Sequence, residues 1–445
     1  MSVATQVAAA ARDAHRGGPT DPSHDAELRQ GILHTRISRP LAWALVIPFL
    51  AVIAAVPISQ VIHDRRAGDE SVLRDLFRHA PTRDNLREFE DELDKTSAAR
   101  EYFRPRMQEQ LTRFGHYGNR KATIGFDGWL YYTPGITAVA GRPFLDSDVL
   151  AARRAAGDAG SETAVSPDPR PAILAFANYL GGRGIRLVLF PVPDKASLQP
   201  LELHGRARDV NGAPPAHNPD RPRLFAELEA AGVRVFDPTP AVLRAGEPPY
   251  FMRQDTHWTP EWMEKVAGEL ATFLIDRKFV PRDPGTAGAR AWHAVDKSVS
   301  RVGDVTDMLG LPEGQGLFAP ETHTIHEVQD PSGTPFEPSE HGAVLLLGDS
   351  FTNVFSAEQM GWGASAGFGA QLARALGRDV DVIAQNDAGA HATRRLLYNT
   401  LAGGEDRLAG KAVVVWELAS RELAIGDFKP VDWTALPAAA EKAAP

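Results

Sequence analysis

Val344-Leu345-Leu346-Leu347-Gly348-Asp349-Ser350-Phe351-Thr352 is a run of aliphatic side chains that stops at Gly-Asp-Ser. A short apolar run bounded by turn formers predicts a strand buried on both faces, as in a parallel sheet. Ligands of open α/β sheets collect at the carboxyl edge, so this strand would deliver Ser350 where a nucleophile is needed. Gly, Asp and Ser are also ordinary turn formers. The stretch therefore needs support from the rest of the chain.

That support comes first as rhythm. A helix over about 171–182 precedes the strand Ile185–Phe190, and a helix over Arg223–Ala231 precedes Val233–Phe236. A helix over Pro260–Arg277, one near 366–376, the strand Val380–Ile383, a helix near 391–402 and the strand Ala412–Glu417 continue the pattern. Strands alternating with helices predict an α/β class, a parallel sheet covered by helices in a three-layer α/β/α arrangement. Ile124–Tyr132 reads as a hairpin or short strand, and Asp283–Gly342, rich in Pro and Gly, as an irregular insertion.

Composition narrows the function classes. The chain has 445 residues, is 43% hydrophobic and 24% charged, and carries a net charge of −9, which argues against nucleic acid as the main partner. There is no cysteine, which removes disulfides, thiolate metal sites and cysteine nucleophiles. Residues 1–39 show no sustained apolar period and read as a disordered tail. From Leu41 to Ile58 no charge occurs, between Arg36 and Arg39 on one side and Asp64-Arg65-Arg66 on the other. About 18 apolar residues suffice to cross a bilayer. The run begins far from Met1 and lacks a small-x-small cleavage site, so an uncleaved transmembrane anchor over 40–62 is favoured over a signal peptide or core helix. Basic residues at its two ends nearly balance and only slightly favour an amino terminus inside. A helical lead-in (63–120) follows, in which Leu86, Phe89, Leu93, Phe103, Met107, Leu111 and Phe114 fit helical spacing, broken near Pro105 and packing one face on the main body. The main domain is expected over 121–430, with a tail over 431–445.

The chemistry rests on a second motif. Asp255 and His257 are two apart, so in an extended segment both point to one side. A carboxylate beside an imidazole is what an activated serine requires: His257 as general base for Ser350, Asp255 fixing its tautomer. The alternative is that Asp255 caps the helix at Pro260 while His257 packs beside Trp258. The Ser350 backbone N–H, at a strand-to-helix turn, is the natural first donor of an oxyanion hole. Asn386 or the Gly389 amide, after the Val380 strand, are candidates for the second. Lys195, at a strand's carboxyl end, and Arg394 are candidate substrate contacts. His323 and His326 with Glu321 and Glu327 lack helical placement and a third ligand, so no metal is expected there. Gly361-Trp362-Gly363 reads as a flexible loop beside the active site, and Asp349 as a shaper of the turn.

These residues also resemble a family. Gly348-Asp349-Ser350-Phe351-Thr352 is similar to the nucleophile block of SGNH hydrolases, and Asp255-Thr256-His257-Trp258 to the Asp-x-His block of their alginate O-acetyltransferase branch, the AlgJ and AlgX type. The Asp-x-His block precedes the serine block, as in that branch. Gly125–Tyr131, Pro191–Lys195 and Val414–Glu417 with Arg421 extend the resemblance to roughly 84–425. It implies an SGNH-like domain in which Ser350, His257 and Asp255 serve as nucleophile, base and orienter. It implies an O-acetyltransferase acting through an acetyl-serine on hydroxyls of an exported polysaccharide, without a cofactor. It further implies a membrane-bound O-acyltransferase as donor partner, and a single pass through the bacterial inner membrane with the catalytic domain on the periplasmic or extracellular side. An acetylesterase with the same triad, or a non-catalytic polysaccharide-binding scaffold, are the alternatives.

Overall fold

The computed structural model describes residues 38–158, 165–204, 215–239, 249–282, 285, 289–386 and 389–436. Of the tail expected over 1–39, residues 1–37 lie outside them, as do the last residues, 437–445. The chain divides into two compact units, Met1–Arg104 and Pro105–Pro445.

In the first unit one helix, Arg39–Ala67, contains the whole uncharged run, with Pro40 in its first turn and Gly68 in the left-handed conformation just past its end. Its most apolar 18-residue window has a mean hydropathy of 2.5 and none of that window is buried. Length and composition suit a bilayer crossing. Towards its carboxyl end the side chains of Gln60 and Asp64 are buried, and Gln60 Nε2 donates to Asp64 Oδ1 (2.7 Å) and to the carbonyl of Thr96 (2.9 Å). The Ala98 N–H donates back to Gln60 Oε1 (2.9 Å). The helix Arg83–Thr96 starts on a Thr82 cap, and a second, Ala98–Gly115, follows after Ser97. The break expected near Pro105 falls at Ser97 instead; Pro105 lies inside the second helix. A second correction concerns burial. Phe103, Met107, Leu111 and Phe114 do not pack on a main body but are 63%, 59%, 43% and 78% exposed.

The second unit is built on a parallel sheet. Its strands are β3 (Arg186–Val192), β4 (Arg234–Val235), β7 (Val344–Gly348), β8 (Val380–Ala384) and β9 (Val413–Ala419), in the order β4-β3-β9-β7-β8. Alternate residues face two cores, because strand side chains alternate. Leu346, Val188, Phe190 and Val415 face the helices Pro260–Asp276 and Phe368–Leu376. Leu345, Leu347, Leu189 and Trp416 face the helices Pro169–Gly182, Asp220–Ala230 and Ala392–Ala402. Fully burying side chains on both faces is why these strands read as unbroken aliphatic runs. The expected carboxyl-terminal tail begins too early: Val431 is buried, and Trp433 is buried and stacks on Phe176 (4.8 Å) and Tyr179 (4.9 Å).

Two smaller pieces complete the unit. β1 (Ala122–Ile124) and β2 (Leu130–Tyr132) form the hairpin, with Asp127 and Gly128 both at positive φ in its turn. The stretch expected to be irregular contains a nine-residue antiparallel ribbon, β5 (His293–Arg301) with β6 (Glu321–Gln329). Most of β5 is exposed, so it carries polar residues without an apolar period. The short helix Asp304–Leu309 leads out of β5.

Candidate active site

β7 ends at Gly348, and the chain enters a one-turn helix at Ser350. Asp349 shapes this turn through both carboxylate oxygens: Oδ1 accepts from the Phe351 N–H and Oδ2 from the Ala419 N–H on β9, each at 2.8 Å. From the same strand Glu417 Oε2 accepts from the Asp349 N–H (2.9 Å) and the Thr352 hydroxyl (2.8 Å). Burial, with the Asp349 charge beside it, pushes the Glu417 carboxyl well above its ordinary value. The Ser350 turn is thus pinned to the sheet from two sides. As first residue of its helix, Ser350 has an N–H with no acceptor inside the helix.

Asp255 and His257 lie in the irregular stretch before the helix Pro260–Asp276, closed by a bridge between Phe251 and Trp258. Thr259, not Asp255, caps that helix. Asp255 Oδ1 lies 2.6 Å from His257 Nδ1 and also accepts from the His257 N–H (3.0 Å). Its other oxygen accepts from Trp362 Nε1 and the Asp304 N–H, both at 3.0 Å. With Nδ1 donating to the carboxylate, Nε2 carries the lone pair. That atom is buried and has no hydrogen-bond partner. Both side chains are nearly inaccessible, and the imidazole meets the Phe351 ring edge-on at 4.8 Å. The base candidate therefore packs against the residue that follows Ser350. Among the described residues no hydrogen bond joins it to the serine, as is common in unliganded sites.

The electrostatics follow from this geometry. Burial pushes the Asp255 carboxyl up, but the imidazole and the two amides outweigh it and hold the group well below the usual carboxylate range. Burial opposes charge on His257, yet Asp255 and then Asp304 raise it above the ordinary imidazole value. Burial and the neighbouring Asp255 push Asp304 up to about 6. Asp255, His257 and Asp304 bring ligand atoms within 4.8 Å of one another. Their oxygens already serve His257, Trp362 and the backbone amides of Thr256 and Asp304. Both oxygens of Asp255 and Oδ1 of Asp304 thus have their donors, whereas Asp304 Oδ2 stands 3.8 Å from His257 Nδ1.

A cavity of about 190 Å³ opens beside Ser350, lined among others by Tyr132, Gln385, Gly389, Thr393, Arg421 and Glu422. Gly389 has φ of 70° and faces this space with Ser350. Asn386 Oδ1 accepts from Asn353 Nδ2 (2.8 Å), which ties the loop to the one-turn helix that begins at Ser350. Residues 387–388 of the same loop lie outside the described chain.

The two proposed substrate contacts are corrected. Lys195 is buried, and its Nζ lies within 2.6–3.1 Å of the carbonyls of Leu130, Met252, Arg253 and Asp255. It ties the hairpin to the Asp-x-His stretch. Arg394 is fully buried, with its guanidinium 4.7 Å from the centre of the Trp416 ring and Nη2 donating to the Lys429 carbonyl (3.2 Å). Its helical position faces the core. Glu321 accepts from the Arg253 and Gln254 amides and pairs with His323, so that cluster is also structural.

Asp304 was missed, and Trp362 and Arg421 were named without a site role. Asp304 comes from the insertion, and no local pattern points to it. Trp362, in the Gly-Trp-Gly loop, is 1% exposed because its indole serves Asp255, so this loop is packed. Arg421 stacks over Tyr132 (5.1 Å) and Phe351 (5.7 Å) at the cavity wall; its position four residues past Glu417, at the end of the last strand, was the available signal.

A five-stranded parallel sheet sandwiched by helices, with Gly-Asp-Ser at the carboxyl end of a central strand, defines an SGNH-like α/β/α domain. The chain belongs to the family described as SGNH hydrolase-like domain, acetyltransferase AlgX, whose model matches residues 122–420. Among its relatives, the probable alginate O-acetylase AlgJ of Pseudomonas fluorescens is 25% identical over 274 residues, 58% of this chain and 62% of that protein. The protein of the same name from Pseudomonas syringae pv. tomato is 26% identical, over 70% of this chain and 73% of its own length. The chain thus spans about three-fifths of the first of these relatives (62%). A solved structure, the O-acetyltransferase domain of Pseudomonas putida AlgJ, is 21% identical with a TM-score of 0.49, covering 72% of this chain and 96% of that one.

Proposed function

We propose that this protein is an O-acetyltransferase that moves an acetyl group through Ser350 onto hydroxyls of an exported polysaccharide. The observation that carries the reading is the buried, unpartnered Nε2 of His257, oriented by Asp255 and packed against the residue next to Ser350. Membership of an acetyltransferase family and relatives named for alginate O-acetylation support the same reaction class.

In the first half-reaction Ser350 Oγ attacks the acetyl carbonyl while its proton passes to His257 Nε2. The bond from the acetyl carbon to the donor's leaving atom breaks, and His257 returns the proton to that atom. In the second, a sugar hydroxyl gives its proton to His257 and attacks the acetyl-serine, regenerating the Ser350 hydroxyl. The tetrahedral oxyanion is received by the Ser350 N–H and by the Gly389 N–H or Asn386 amide. Asp255 keeps Nε2 free to act and stabilises the imidazolium. Transfer prevails over hydrolysis when the acceptor hydroxyl is held in line ahead of water.

The helix Arg39–Ala67 anchors the chain in the bacterial inner membrane, with the catalytic unit on the outer side. A membrane-bound O-acyltransferase supplies the acetyl group, since soluble acetyl-coenzyme A is a cytoplasmic donor.

Intact-mass analysis after incubation with an acetyl ester tests the chemistry. An acetyl adduct on Ser350, absent from Ser350→Ala, and its transfer to an oligosaccharide are expected. An adduct on another residue would overturn the mechanism, and turnover to acetate with no transfer to any acceptor would assign an esterase.

A further inference from the structure

The helix Ala98–Gly115 exposes four large apolar side chains, Phe103, Met107, Leu111 and Phe114. At 3.6 residues per turn they fall within about 80° of one another, one continuous stripe. Thr112, the buried residue of this helix, lies on the opposite side. Arginines flank the stripe: Arg104 along one edge, Arg106 and Arg113 along the other, and Arg100, which also pairs with Asp94, in line with it one turn before Phe103. The helix's two acidic residues, Glu101 and Glu109, lie away from it, and Arg113 also pairs with Glu109 (2.9 Å). This positive rim stands in a chain whose net charge is −9. An aromatic and aliphatic face rimmed by basic side chains is the composition of a helix lying in a membrane interface.

The start of this helix is fixed to the apolar helix itself. Gln60, two residues past the uncharged run, holds both the Thr96 carbonyl and the Ala98 N–H, while it is itself 2% exposed. Ala98 therefore stands at the depth where the chain leaves the apolar run. Arg65 and Arg66 lie one turn further along the same helix. The stripe begins five residues beyond that clamp.

We infer that Phe103, Met107, Leu111 and Phe114 bed into the surface of the bilayer that Arg39–Ala67 crosses, with the flanking arginines on anionic lipid headgroups. This rests on the anchor reading proposed above. The interfacial helix would hold the start of the catalytic unit at the membrane, near a membrane-embedded acetyl donor.

The test uses the full chain, which has no native cysteine. Single cysteines at Met107, Phe114, Glu101 and Val52 carry an environment-sensitive fluorophore, in nanodiscs of phosphatidylcholine with or without phosphatidylglycerol, one chain per disc. The inference expects labels at 107 and 114 to shift to the blue, lose quenching by aqueous iodide and gain quenching by lipid-borne nitroxide. The label at Glu101 should stay open to iodide. Labels at 107 and 114 as open to iodide as the one at 101, with Val52 quenched by lipid, would overturn the interfacial helix and leave the anchor standing. Val52 open to iodide would overturn the anchor, and this inference with it. Protection identical without phosphatidylglycerol would overturn the role of the arginines. Protection that needs two chains per disc would assign the stripe to self-association instead.

Discussion

At the scale of single residues, the base candidate is governed by two carboxylates, of which the sequence motif shows one. Asp255 touches His257 directly, whereas Asp304 Oδ2 stands 3.8 Å from Nδ1 and raises the imidazole through its charge. A general base must be neutral to accept a proton, so activity should fall as pH drops through the raised imidazole value. Removing the Asp304 charge lowers that value. Asp304→Asn, which keeps an oxygen for the Thr256 N–H, should therefore move the acid limb of kcat/KM to lower pH. A pH–rate profile on a small acetyl ester checks the direction, and an unmoved or upward-shifted limb would remove Asp304 from this role. Asp255-x-His257 was legible because two residues of known chemistry sit at a spacing that co-orients them. Asp304 was not, because it reaches the site through the fold, 47 positions beyond His257.

At the scale of elements, the sheet was legible and the insertion was not, for the same physical reason. β7 and β9 are buried at every position, which forces aliphatic runs that stand out from their surroundings. β5 has no buried residue, so its sequence obeys no apolar alternation although it pairs over nine residues. The lead-in helix shows the converse. Its apolar period is real, but a period says which side chains share a face and not what covers them. The β7 turn carries the tightest constraint: a Cβ on Gly348 would lie 2.1 Å from Thr352 Oγ1 and 3.0 Å from Glu417 Oε2. Both atoms belong to the bond that pins the Ser350 helix, so the extra methyl cannot be absorbed by a free side chain. Gly348→Ala should cost about 1–3 kcal/mol of stability through overpacking. By displacing Ser350 on the order of 1 Å it should also lower kcat/KM by about 10²-fold. Thermal melts and ester kinetics on the folded variant separate the two effects, and near-normal turnover would show that this turn does not set the serine's position.

At the scale of the whole molecule, everything the proposed chemistry uses lies within Pro105–Pro445. That unit holds Ser350, Asp255, His257 and Asp304, and the buried clusters on both sheet faces and beneath the hairpin. The helix Ala98–Gly115 enters it through Gln108, whose Nε2 donates to Thr112 Oγ1 (3.2 Å) and the Tyr117 carbonyl (3.0 Å). Asn119 continues the link by donating to the Met308 and Leu309 carbonyls. These bonds stay within the unit. Hydrophobic burial on this scale supports independent folding. A chain starting at Ala98, which keeps that helix whole, should therefore melt cooperatively. It should also hydrolyse a small acetyl ester at a rate close to that of the full chain in detergent, because a small soluble donor needs no membrane. Acetylation of polymer by a membrane-embedded donor should instead fall steeply, since losing the tether removes the high effective concentration that one anchored chain provides. Circular dichroism melts and parallel assays with soluble and membrane-delivered acetyl groups decide the matter. A non-cooperative melt would place part of the fold's stability upstream of Ala98, and an equal loss in both assays would place part of the catalytic machinery there.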